Sequence, residues 1–552
     1  MNESNGNYAP RWGMAIDLNR CVGCQTCTAA CKHANDTPPE VQWRRVIDVE
    51  QGTFPDVERL FMVVGCQHCE EPPCVPVCPT GATRQRADGL VTMDYDQCIG
   101  CAYCAVSCPY QARTIMHEER GYFGTKRTEQ ELATAHPERR GVAQKCTFCV
   151  DRVDAGLAQG LVPGVDPAAS PACAAACIAS AIHFGDYNDP QSNVSRLTAA
   201  GENFQMHEEL GTNPQIRYLY THPAVPGRAA KPADEDDARQ SDLANPLVGP
   251  LQRFWDWRAA MNWCFGGAGS GLAVMAWLAA WIGILPPARL PAVMALAGLL
   301  MAIGLFCVFL KIGRQLRFWR AVLRPQTSWM TRELYAVLVF YPAVFTSVVC
   351  PEPGVAGVAC SVAALAALVF LGCQAMILYK ARGIPAWRIR RVVLLIGLSG
   401  LAEGAGVLLL LLALDPVHLT SSPAVLLEPL FGLLILIVLR AIVWRDYVVH
   451  ARTEGVGPLA HQVLRRLGWL MQPAAQVVSL LIAAPAFLLP SAVAAPFAAA
   501  TGLIALAVGF SWKYQVIVKA GYQQVFALPR LPQRGSGHNA APARMSAPAR
   551  AS

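Results

Sequence analysis

The sequence predicts two modules in one polypeptide: an α+β domain of short strands and cysteine-bearing loops, followed by an all-α polytopic membrane domain of eight transmembrane helices. Sixteen of the 21 cysteines precede residue 178, and nearly all the long apolar runs follow residue 258. The composition agrees, since 552 residues exceed one ordinary domain and 53% hydrophobic with only 15% charged residues is unusual for a soluble chain. The net charge of +7 is modest and gathers in particular loops, which reads as membrane topology. No nucleic-acid-binding motif is present, so no nucleic-acid partner is expected.

From the N-terminus, Met1 to Arg20 holds neither an apolar signal core nor a twin-arginine motif, so the cysteine-rich module is expected to stay in the cytoplasm. Thiols are kept reduced there, and close-spaced cysteines then point to metal. Four groups follow: Cys21, Cys24, Cys27, Cys31; Cys66, Cys69, Cys74, Cys78; Cys98, Cys101, Cys104, Cys108; and Cys146, Cys149, Cys173, Cys177. The first and third are C-x2-C-x2-C-x3-C runs, and Pro109 follows the third. That is the bacterial ferredoxin signature, in which three thiolates of one loop grip a cubane and the fourth serves its neighbour. Four-cysteine zinc sites pair two C-x2-C knuckles instead of packing a third cysteine into one loop, which disfavours zinc. With cysteine at all sixteen positions, four [4Fe-4S] clusters are expected. His33, His68 and His183 are expected to shape the surrounding hydrogen bonds rather than bind iron. Between the groups, Pro72-Pro73, Pro79-Thr80-Gly81-Ala82 and Ala87-Asp88-Gly89 supply turns, and Leu90 to Met93 a short strand. The insert between Cys149 and Cys173 is expected to form a helix and loop, either filling space or docking a partner.

These four groups resemble the four-cluster electron-transfer subunit of the DMSO reductase family of molybdenum enzymes over residues 12 to 220. The resemblance implies a ferredoxin-like fold and four ligand sets. The first is Cys21, Cys24, Cys27 with Cys177, and the second Cys146, Cys149, Cys173 with Cys31. The third is Cys66, Cys69, Cys74 with Cys108, and the fourth Cys98, Cys101, Cys104 with Cys78. It places the first set beside a separate molybdopterin catalytic subunit and the fourth beside the membrane. The long spacing between Cys149 and Cys173 departs from the family pattern.

Residues 1–220 thus form the expected cluster domain and 221–250 a linker rich in Ala, Pro, Asp and Arg; 251–530 form the membrane anchor and 531–552 a disordered tail. Eight spans are expected at 259–285, 289–311, 333–351, 354–379, 391–414, 423–445, 467–489 and 491–515. Their connections alternate in charge. Lys311, Arg314, Arg317, Arg320, Arg324 and Arg332 lie between the second and third spans. Lys380, Arg382, Arg388, Arg390 and Arg391 lie between the fourth and fifth, and Arg445, Arg452, Arg465 and Arg466 between the sixth and seventh. Of lysine and arginine, the opposite loops hold only Arg289. By the positive-inside rule the basic loops, both termini and the cluster domain face the cytoplasm, in a multi-pass inner-membrane protein.

Haem needs axial ligands, and the late histidines, His418, His450, His461 and His538, fall at helix ends, in loops or in the tail, so no haem is expected. Electrons would pass directly between the membrane-side cluster and a lipid-soluble carrier, a quinone or quinol. Residues 310–318, 324–333 and 262–271 resemble the anchors of DMSO-reductase-type enzymes. That resemblance implies quinone contacts at Asn262, Lys311, Arg314, Arg317, Arg332 and Glu333, although Lys311 stands where the family tends to have histidine. The plainer reading is that these arginines fix topology. Charge at membrane depth is costly, so Glu403, Glu428 and Arg440 are read either as a proton route or as a buried structural pair. The chain is then expected to relay electrons between the catalytic subunit and the quinone pool without itself binding substrate. It looks closest to quinone-linked sulfite dehydrogenases, with phenylacetyl-CoA:acceptor oxidoreductases second. A rival of another class is an ion transporter coupled to iron-sulfur redox, which the intramembrane charges keep open.

Overall fold

The computed structural model of the chain describes residues 8–53, 56–118, 121–124, 126–134, 136–220, 241–243, 245–415, 424–471 and 473–526. Most of the expected linker and all of the expected tail lie outside them. The N-terminal domain is the ferredoxin-like α+β unit the cysteine runs predict. Its largest sheet has four strands in the order Ile182–Asp186, Trp12–Asp17, Ile216–Leu219 and Asn203–Phe204. Trp12–Asp17 runs antiparallel to the first, with Met14 opposite Phe184, and parallel to the third, with Met14 opposite Ile216. The first and last strands of the domain are thereby stitched together, which closes it around the cysteine loops. Arg44–Thr53 pairs with Asp56–Gly65, and two short ribbons, Thr83–Gln85 with Val91–Met93 and Thr114–Ile115 with Ala143–Gln144, fill the space between loops. The insert before Cys173 forms the helix Val150–Ala158.

The second module contains eight helical spans long and apolar enough to cross a membrane among the described residues. The helices Trp257–Trp281, Leu290–Lys311, Trp329–Val349, Pro353–Tyr379, Arg391–Ala413 and Ala424–Ala451 lie within a few residues of the expected first six. The seventh region differs. An amphipathic helix, Pro458–Met471, precedes the apolar helix Pro473–Leu488, and Pro at the start of each suits a first helical position. The last span is Ser491–Tyr514, continued by one π-helical turn to Lys519.

The first and fifth spans form the buried centre of the bundle and pack on each other. Their approach depends on Gly271, Gly400 and Gly404, because a Cβ on Gly271 or Gly404 would collide with the opposing backbone. Small residues let membrane helices close in this way where no hydrophobic effect drives them together. The outer helices present Phe306, Leu299, Val358 and Ile442 outward. The end of the expected linker is not free chain. Phe526 N donates to Leu247 O, Gln523 N to Pro250 O and Gln252 N to Gly521 O, so 247–252 is tied to the residues that follow the last span.

Candidate metal centres

Each cysteine loop turns on one backbone device. The residue two after the first cysteine has positive φ in all four groups: Gly23 (69°), His68 (43°), Gly100 (73°) and Phe148 (55°). Successive main-chain N–H groups in such turns point inward and form a concavity suited to an anion. Gly100 N donates to Cys98 Sγ at 3.4 Å and Phe148 N to Cys146 Sγ at 3.4 Å. Two of the loops use non-glycine residues in a conformation that ordinarily costs about 1 kcal/mol or more. Those two, His68 and Phe148, stack with ring centroids 3.8 Å apart, which holds both loops in place. His68 is fully buried, accepts from Val91 N at Nδ1 (3.1 Å) and donates from Nε2 to Cys146 O (3.1 Å). Both ring nitrogens are occupied by backbone, and burial, reinforced by Lys145, pushes its pKa well down.

The fourth member of each group crosses to another loop. In the helix Thr26–Ala34, Cys27 and Cys31 are four residues apart, and their thiols join different neighbourhoods. Cys21, Cys24, Cys27 and Cys177 line one cavity together with Val46, Val63 and Ile182. Cys31 lies within the electrostatic reach of Cys146, Cys149 and Cys173, and the Asn35 amide donates to both Cys31 Sγ (3.8 Å) and Cys149 Sγ (3.7 Å). Cys69 lies within the electrostatic reach of Cys66, Cys74 and Cys108. Cys78, Cys98, Cys101 and Cys104 line a second cavity with Thr80, Met93 and Ala143. Among the described residues, no three His, Cys, Asp or Glu side chains converge on a single-ion position. The thiols that ring these two cavities fit the corners of a cubane. Burial pushes the Cys101 thiol up to about 12 and Cys146 to about 11, so free thiolates are disfavoured there.

The first and the last sets differ in their surroundings. Cys24 is exposed, and beside the first set Val22 and Ile178 expose apolar side chains. The last set is seated on the membrane module. Trp255 Nε1 donates to Cys101 O (3.1 Å), Tyr103 OH to Ile377 O (2.9 Å) and Ser328 Oγ to Val77 O (2.9 Å). Arg314 N donates to Ile99 O (3.0 Å) and Arg317 Nη1 to Tyr95 O (2.9 Å), while the Arg317 guanidinium also pairs with Asp96 (3.1 Å). Here the backbones touch: a Cβ on Gly100 or Gly313 would overlap Gly141 O.

The six residues expected to contact quinone divide. Asn262 Nδ2 donates to Glu333 Oε1 at 3.3 Å, and both are buried. Gln374, which sequence reasoning missed, donates to Asn262 O at 2.8 Å, and Asn262 Oδ1 and Gln374 Oε1 are buried without a partner among the described residues. Lys311 is buried within the field of Cys101 and Asp256. Arg314 and Arg317 instead clamp the cluster domain, and Arg332 donates to Pro325 O and Gln326 O while covering the Trp329 ring. The residues expected on a proton route divide too. Glu403 Oε2 accepts from Lys513 Nζ at 2.7 Å with both side chains fully buried, and Arg440 lies within its electrostatic reach. Glu428 is exposed near the start of its helix, apart from them. Lys513 falls beside the expected end of the last span, where a basic residue reads as a topology signal. Only the packing brings it to Glu403.

A family model described as a 4Fe-4S dicluster domain matches residues 57–125. The chain is 41% identical over 224 residues to a selenate reductase subunit of Mesobacillus selenatarsenatis, covering 38% of this chain and 72% of that protein. It is 39% identical over 223 residues to a sulfite dehydrogenase subunit of Allochromatium vinosum (37% and 81%). It is 36% identical over 227 residues to the iron-sulfur cluster-binding subunit of the menaquinone reductase of Nitratidesulfovibrio vulgaris (38% and 88%). With cysteine loops of this geometry and relatives of this kind, the chain belongs to the family of iron-sulfur electron-transfer subunits of DMSO-reductase-type molybdoenzymes.

Proposed function

We propose that this chain is the electron relay and membrane anchor of a molybdenum oxidoreductase, passing electrons between a molybdopterin subunit and the quinone pool through four [4Fe-4S] clusters. One observation supports the reading: the cysteine loops present an exposed apolar surface at Cys24, Val22 and Ile178, while the Cys101 loop is seated on the helical module through Trp255. Bound clusters would supply one-electron carriers; everything else is done by the chain. Its loops aim N–H groups at the thiols, Asn35 steadies two sets of ligands, and Arg314 and Arg317 hold the last set against the bundle. The ligand sets are the four that the family resemblance implies, with 1–220 as the relay, 221–250 as the joint, 251–530 as the anchor and 531–552 as a tail. Asn262, Glu333, Gln374 and Lys311, beside the last set, make the favoured quinone site, and transfer proceeds without haem. Glu403 with Arg440 and Lys513 is the intramembrane charge centre that a proton would use. The cluster domain lies against the basic loops, which the positive-inside rule puts in the cytoplasm.

Sulfite is the favoured substrate of the catalytic partner, supported by the look of the sequence and by one sulfite dehydrogenase relative among relatives named for other substrates. The test is capture of the protein from native membranes, followed by stopped-flow mixing with quinol. A co-purifying molybdopterin protein and rapid bleaching of the clusters are expected. Ion flux independent of quinol would favour the transporter instead, and a stoichiometric haem Soret band would overturn the haem-free route.

A further inference from the structure

Three cations are buried inside the cluster domain: Arg44 and Lys145 are fully inaccessible, and Arg113 is 3% exposed. Among the described residues none of them pairs with a carboxylate. Arg44 Nη2 reaches Met14 Sδ (3.1 Å) and Cys173 Sγ (3.8 Å), while its Nε and Nη1 have no partner among the described residues. Arg113 Nη1 donates to Thr83 Oγ1 (3.1 Å) and lies against Met93 Sδ, and its Nη2 has no partner among the described residues. Lys145 donates to the carbonyls of Val91 and Cys146. Two arginines with orphaned nitrogens in a dry interior are strongly destabilising unless negative charge is nearby.

The positions are regular. Arg44 acts on Cys173, Cys146 and Cys31 of the second set and also on Cys27 of the first. Lys145 acts on Cys66 and Cys74 of the third set and on Cys146 of the second. Arg113 acts on Cys74, Cys66 and Cys108 of the third set and on Cys104 of the fourth. The contacts agree: Arg44 reaches Cys173 Sγ of the second set, Lys145 donates to Cys146 O at 2.8 Å, and Thr83 and Met93, the partners of Arg113, line the cavity of the fourth set, so one cation stands at each junction between successive sets. A [4Fe-4S] cluster on four thiolates is anionic, and every electron it accepts adds negative charge. Net charge and burial are among the main determinants of cluster potential.

We infer that Arg44, Lys145 and Arg113 are the fixed counter-charges of the relay, positioning residues that raise the reduction potentials of the clusters on either side of each junction. The inference rests on the four-cluster reading above. It is sharpest for the two arginines, whose charge does not depend on pH.

The test is EPR-monitored redox titration of the intact complex in membranes. Dithionite delivers electrons through soluble mediators, each cluster takes up one, and signals are assigned by their loss in Cys→Ser variants of each set. Removing a unit charge at this range, at an effective dielectric of about 20, is expected to change the ratio of reduced to oxidised cluster at least about tenfold. That is a fall of about 59 mV for one electron. In Arg44→Gln the fall should appear at the first and second sets and spare the fourth; in Arg113→Gln it should appear at the third and fourth and spare the first. Arg44→Lys should keep near wild-type potentials. Fully loaded Gln variants with unchanged midpoints would overturn the inference. If Arg44→Gln fails to load iron, loading restored in Arg44→Lys supports a charge role, and loading lost in Arg44→Lys as well assigns Arg44 to packing and overturns it. Fewer than four clusters in the wild-type protein would instead refute the relay reading itself.

Discussion

Replacing Glu403 by Gln is the sharpest perturbation of the membrane module. Glu403 and Lys513 form a fully buried ion pair at 2.7 Å, with Arg440, 4% exposed, close enough to feel the carboxylate. The group therefore holds one anion and two cations. Breaking a buried pair by removing one partner costs about 3–5 kcal/mol, because the remaining charge is left uncompensated. Glu403→Gln strands two cations and should sit at the upper end, about 5 kcal/mol. Lys513→Met leaves Glu403 facing Arg440 and should cost about 3 kcal/mol. The double variant should cost less than the sum of the singles, with a coupling of about 1–3 kcal/mol. The assay is SDS-induced unfolding of the detergent-solubilised protein followed by tryptophan fluorescence. If Lys513→Met is more destabilising than Glu403→Gln, or if neither moves the midpoint, the charge accounting at this site is wrong.

Four further outcomes are expected. Cys101→Ser should abolish reduction of the clusters by quinol while dithionite still reduces the first set; EPR showing loss of the partner-side signal instead would reverse the proposed order of the sets. Arg317→Ala removes a bond to Tyr95 O and the Asp96 pair, about 1–3 kcal/mol of docking energy, and should speed proteolytic release of the cluster domain. Gly313→Val places a side chain against Gly141 and should separate the last cysteine set from the bundle, read as slower quinol-to-cluster transfer with cluster content retained. Where Glu403→Gln assembles, its quinone-linked turnover should fall, and unchanged turnover would end the proton-route reading and leave a structural pair.

The cysteine module was legible because iron-sulfur ligation is local. Cys98, Cys101 and Cys104 share one loop whatever surrounds it, and their spacing carries the chemistry. The crossing of Cys31, Cys78, Cys108 and Cys177 to other loops follows from family resemblance alone; in the structure Cys177 shares a cavity with Cys21, Cys24 and Cys27, and Cys78 with Cys98, Cys101 and Cys104. The arginines after the second span were read less well. Arg314 and Arg317 looked like quinone contacts, yet their guanidinium groups hold the cluster domain. A basic loop beside a membrane has several possible partners, and only the docked domain picks one.

Chain order by itself determined the two modules, the cysteine sites and the alternation of apolar spans with basic loops, since each depends on neighbours in sequence or on hydrophobicity over one helix length. Tertiary structure alone decided which charges meet. Lys513 reaches Glu403 from another helix, Glu428 turns outward, and Arg44, Lys145 and Arg113 are buried inside the cluster domain. A buried charge is tolerated only beside its compensation, and no spacing along the chain encodes a partner more than a hundred residues away.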